Sequence, residues 1–82
     1  MAGEARPVGG MLERFAAFHH MADGQLAGFL GVGVDRLEVL RPHTLPEERD
    51  PAFQADVERL AALSGCSAAR LMQVARIAKL LR

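Results

Sequence analysis

Apolar residues return every three or four positions along most of this chain, and the polar residues collect between those returns. Met11, Phe15, Phe18 and Ala22 share one helical face, with Leu12 at its edge and Glu13 and His20 pointing away. That spacing predicts a first helix from about Met11 to Ala22. Asp23-Gly24 breaks it, and Asp23 is placed to cap a short second helix, Gln25 to Leu30. Gly31 closes that helix, because glycine adopts a left-handed turn at little cost. A third helix follows from about Val34 to Leu40, with Leu37 and Leu40 inward, and stops at Arg41-Pro42.

The segment "PHTLPEERD" reads as a polar loop. Asp50-Pro51 then supplies a capping carboxylate and a proline at the first helical position, the start of a fourth helix running to about Ser64. Phe53, Val57 and Leu60 stack on its inner side. Gly65 ends it, Ser67 caps a fifth, and Leu71, Val74, Ala78 and Leu81 form a stripe to the C-terminus. No alternating apolar run is long enough to predict a strand. The expected architecture is all-α: a compact five-helix domain over residues 11–82, behind a flexible tail of residues 1–10 that holds Pro7 and Gly9-Gly10.

The chain also echoes itself. "LAGFLGVGVDRLEVLR" from Leu26 aligns without gaps to "LAALSGCSAARLMQVA" from Leu60. Leu26/Leu60, Ala27/Ala61, Gly31/Gly65, Arg36/Arg70 and Leu37/Leu71 coincide. Small alanines let two helices approach and leucine fills the angle between them, so convergence explains the echo better than duplication. Two copies are too few for a repeat array.

Composition changes the picture in three ways. The 82 residues suffice for one small core, and half of them are hydrophobic, which opposes disorder. A single cysteine, Cys66, excludes an intrachain disulfide and a multi-cysteine zinc site. No segment has the uninterrupted apolar length of a membrane span, and "MAGEARPVGG" lacks the layout of a secretory signal, so a cytoplasmic location is expected. Formal net charge is zero, which counts against nucleic-acid binding, but its distribution is uneven. All ten acids precede Arg59, whereas Arg59, Arg70, Arg76, Lys79 and Arg82 follow with no acid among them. The chain is acidic in front and basic behind.

Candidate chemistry is sparse. His19 and His20 are adjacent on a helix and point about 100° apart, so they do not readily share a metal ion. His19 reads as a boundary residue pairing with Asp23 one turn on, and His20 as solvated. Cys66 aligns with the core position Val32 and reads as buried and structural. No glycine-rich loop follows a strand to cradle phosphate, and no nucleophile, base and acid group together. The expectation is a non-enzymatic chain with no cofactor and no metal. Helix five stands apart: Gln73, Arg76 and Lys79 form its polar face, yet Met72 and Leu80 also project off its core stripe. A second apolar surface of that kind fits a homo-oligomer or a partner-protein contact better than a membrane surface.

Residues from Met11 to Met72 resemble the lambda repressor-like (Cro/Xre) helix-turn-helix family, with the helix-turn-helix at about residues 25–41. Ala27, Gly31 and Leu37 stand where that family places the small residue, turn glycine and apolar residue that hold its two helices together. "VERLAALSGCSAARL" resembles its closing helix, glycine turn and helix. The resemblance implies a small DNA-binding regulator acting as a dimer on paired half-sites. Arg36 and Arg41 would contact base or phosphate. The uneven charge offers an alternative, DNA bound through the basic C-terminal half, where Arg76 and Lys79 would carry the contact. This sequence departs from the pattern: Asp23 lies near the position where many members carry a DNA-contacting glutamine, and Asp35 and Glu38 face outward on helix three. A second reading keeps the fold but drops the DNA: a protein-interaction module in which Met72 and Leu80 meet a partner.

Overall fold

The computed structural model describes residues 6–80, and the chain there is mostly helical. In order come a short strand β1 (Arg6–Pro7), helices α1 (Val8–Phe18) and α2 (Asp23–Leu30), a single 3-10 turn (Val34–Arg36), α3 (Leu37–Leu40), a short strand β2 (Thr44–Leu45), α4 (Phe53–Ser64) and α5 (Ala68–Leu80). Val8, Met11, Leu12 and Phe15 of α1 meet Leu71, Val74, Ala75 and Ala78 of α5, and α2 and α4 close the remaining sides. Among the described residues the core holds no charged side chain; Ser64 is its one polar member and Cys66 its one thiol.

Helix α1 begins earlier than its hydrophobic pattern suggests. Residues 6–10, expected in a flexible tail, form β1 and the first turn of α1, and Val8 is fully buried. Residues 1–5 of that tail lie outside the described residues. The reason is long-range. The Val8 amide donates to the His43 carbonyl at 2.9 Å and the Gly9 amide to the Arg41 carbonyl at 3.3 Å. These satisfy the donors that the start of a helix leaves free, so no side-chain cap is needed. Arg6 and Pro7 extend the same contact as an antiparallel ladder against Leu45 and Thr44. Gly9 serves close approach here: a Cβ in its place would lie 3.2 Å from the Arg41 carbonyl oxygen.

The other end of α1 is also displaced. The helix stops at Phe18, with His19 as its cap and His20 in the left-handed region at φ +55°. Phe18, expected on the inner face, is therefore 59 % exposed, and Ala22 is exposed as well. Asp23 does not cap α2. Gln25 does so instead, its Oε1 accepting from the Ala22 amide at 2.9 Å.

The predicted helix three divides into the 3-10 turn and one turn of α-helix, with Leu37 and Leu40 completely buried as expected. Helix α4 starts two residues later than expected. Asp50 Oδ1 accepts from the Ala52 amide at 2.8 Å, holding Asp50-Pro51-Ala52 in a turn ahead of the helix. Phe53, Val57 and Leu60 point inward. Along α5 Leu71, Val74 and Ala78 are buried, joined by Ala75, while Leu81 lies outside the described residues. Ser67 caps this helix through Oγ, which accepts from the Arg70 amide at 3.3 Å.

Both halves of the internal echo turn on a left-handed glycine. Gly31 has φ +85° and Gly65 φ +84°. Their chemistry differs beyond that. After α2 the Val32 amide reaches back to the Ala27 carbonyl at 2.9 Å, the hydrogen bond of a Schellman ending. After α4 the Cys66 amide donates to Ser64 Oγ at 3.4 Å, and that hydroxyl donates to the Leu60 carbonyl at 2.9 Å. Cys66 is buried, as its alignment with the core suggests.

Candidate functional site

The residues singled out for DNA contact occupy very different surroundings. Arg36 ends the 3-10 turn, exposed, and makes no ion pair among the described residues. Arg41 follows α3, and its side chain, only 24 % exposed, lies among three acids. Its guanidinium stands 3.1 Å from Glu38, 3.5 Å from Asp23 and 3.9 Å from Glu13. These carboxylates come from α3, α2 and α1 respectively, so three elements converge on one cation. The Arg41 carbonyl meanwhile caps α1 through Gly9. Arg41 is a structural hub.

Glu38 lies only three residues before Arg41 along the chain. Glu13 and Asp23 are distant in sequence, and only folding brings them in. The ring remains acidic, since three carboxylates outnumber one guanidinium and each keeps most of its side chain in water. Among the described residues no group of His, Cys, Asp or Glu is placed to hold a metal ion. Asp35, on the 3-10 turn, is a further exposed acid.

A shallow groove of about 260 Å³ runs beside the ring. Ala16, Ala17 and Met21 line it over Leu12 and Leu26, and Glu13, Asp23 and Arg41 form its polar edge. It falls below the roughly 300–1,000 Å³ of small-molecule pockets and has room for only a side chain or two.

The C-terminal cations also diverge. Arg76 Nε donates to Glu48 in the loop before α4 and is committed there. Lys79 is exposed and makes no ion pair among the described residues. Of the two interface candidates, Met72 is half-buried and packs against the core, whereas Leu80 is 79 % exposed. Of the two, Leu80 alone presents a largely exposed apolar side chain. Met72 departs from the expectation that both project outward, because its side chain packs against the core.

A further cluster was not foreseen. Phe18 meets His19 edge-on at 5.0 Å, His19 stacks on Phe15 at 4.6 Å, Phe15 on Phe29 at 5.1 Å, and the Arg70 guanidinium lies 4.7 Å over Phe29. His19 therefore does not pair with Asp23, which turns to Arg41 instead. The chain of rings links α1 and α2 to the start of α5, an ordinary use of aromatic and cation–π packing.

No helix among the described residues is long and apolar enough to cross a membrane. No protein-family model, curated protein or solved structure matches this chain.

Proposed function

We propose that this chain is a non-enzymatic protein-interaction module that keeps a helix-turn-helix-like arrangement without reading DNA through its third helix. The observation that carries this reading is the capture of Arg41 by Glu13, Asp23 and Glu38. A DNA reader needs free cations on that face, because neutralising phosphates supplies most of its affinity. Here the cation best placed to serve is already neutralised, and the surplus carboxylates repel a polyanion. Arg76, though 61 % exposed, is likewise paired with an acid, Glu48.

A DNA-binding regulator is the other reading, and one observation favours it. Arg36 is exposed beside the Gly31 turn and is not engaged with any acid among the described residues. The deciding experiment is a salt-dependent titration against mixed-sequence duplex, beginning at low salt. The interaction-module reading expects no retention of wild type and none of Arg76→Ala/Lys79→Ala. Retention of wild type that declines with salt and disappears in Arg36→Ala would install the regulator reading, with Arg36 as its contact. Removing a base-reading arginine should then weaken binding by about 1–3 kcal/mol.

A further inference from the structure

The protein-interaction reading leaves its partner open, and two features of the surface point to one. The first is the groove of Ala16, Ala17 and Met21, whose edge holds Glu13, Asp23 and Arg41, with Glu38 paired to Arg41 beside it. The second is the end of α5, where Lys79 and the 79 % exposed Leu80 stand next to each other in the sequence. One feature is an apolar depression beside a ring in which three carboxylates outnumber one guanidinium; the other is an apolar side chain next to a positive charge. They are complementary in both respects.

They do not meet within one molecule. Arg70, at the start of α5, lies over Phe29, which stacks on Phe15 in the second half of α1. The groove residues Ala16, Ala17 and Met21 lie at that same end of α1. From Arg70 to Leu80 the helix advances about 15 Å at 1.5 Å per residue, leading Leu80 away from that end. Ten residues of rigid helix therefore separate the tail from its own groove. A second copy faces no such restriction.

We propose that the acidic groove on α1 and α2 binds the C-terminal end of α5 of another copy of this chain, with Leu80 over Ala16, Ala17 and Met21 and Lys79 facing Asp23 and Glu38. The contact joins two different surfaces, so each molecule keeps one groove and one tail free after pairing. Such head-to-tail contacts grow into rings or filaments rather than stopping at a two-fold dimer. Burial of Leu80 supplies the apolar part. The charges supply orientation and make association fall with added salt. The inference deepens the interaction-module reading by naming its partner.

The test is sedimentation over a concentration series at low and high salt, using three chains. Wild type should gain mass with concentration beyond a dimer at low salt and lose it at high salt. Lys79→Glu/Leu80→Glu removes the tail, and Asp23→Lys/Glu38→Lys removes the groove; each should remain monomeric alone. Mixed together they should form a one-to-one heterodimer and stop, because the first retains an intact groove and the second an intact tail. Asp23→Asn/Glu38→Gln, with melting curves for every variant, provides a milder groove variant whose tendency to associate should fall at least several-fold.

A wild type that remains monomeric at all concentrations would overturn the proposal. So would a mixture that stays monomeric while wild type associates, since that result belongs to a symmetric contact. Neither result touches the interaction-module reading, which fails separately if wild type is retained on DNA.

Discussion

The main-chain amide of Ser67 donates to the carbonyl of Leu30 at 2.9 Å, joining the start of α5 to the end of α2. A helix leaves its last carbonyls without partners, and here the second helix–glycine–helix unit satisfies the first. Ser67 does this with its backbone while its hydroxyl caps α5 at the Arg70 amide. One residue thus fixes both a helix end and the junction of the two echoing units.

Ser67→Ala should cost about 0.5–2 kcal/mol, because only the hydroxyl cap is lost. Ser67→Pro should cost more, since it deletes the amide that serves Leu30 as well. Chemical denaturation of the two variants beside wild type measures the difference. Equal losses would mean that the Leu30 bond contributes nothing.

Leu37→Ala should destabilise the fold by about 2–5 kcal/mol. Leu37 is completely buried behind the 3-10 turn, and α3 is too short to shift and fill the space. An unchanged melting temperature would contradict this packing.

At Gly31 and Gly65 the cost of substitution is conformational. Nothing lies within 4 Å of a Cβ built at either position, yet both residues have φ near +85°. Replacement by L-alanine should cost roughly 1–2 kcal/mol at each site. D-alanine, introduced by chemical synthesis, should be tolerated at both. A comparable loss with D-alanine would show that space, not handedness, sets the requirement.

His20 poses the reverse case, a side-chain-bearing residue held at φ +55°. Its ring takes no part in the stacking that engages His19. His20→Gly relieves the left-handed strain of about 1–2 kcal/mol and adds the entropy cost of glycine, about 0.5–1 kcal/mol. The net expectation is a gain of up to about 1.5 kcal/mol, visible as a rise in Tm.

Arg41→Ala leaves Glu13, Asp23 and Glu38 facing one another without their shared cation. The loss should be about 1 kcal/mol at low salt, modest because the acids are well solvated. Added salt should restore part of it by screening their mutual repulsion. A loss indifferent to salt would mean that Arg41 acts through packing alone.

What the sequence determined by itself lies within reach of local geometry. The left-handed glycines at Gly31 and Gly65, the inward Leu37 and Leu40, the buried Cys66 and the Ser67 cap are all legible from a few neighbouring residues. Each expresses a steric or hydrogen-bonding preference that acts over one helical turn. The tertiary structure decided what depends on partners distant along the chain. Val8 became the start of α1 because the carbonyls of Arg41 and His43 arrive to receive its first amides. Asp23 reads locally as a cap, but an arginine eighteen residues later in the sequence claims it, and Gln25 takes over the capping. Arg41 itself reads as a DNA contact on an isolated helix and becomes a clamp once α1 and α2 deliver their carboxylates. Periodicity records which side of a helix avoids water; it carries no information about which charge a neighbouring helix will place opposite.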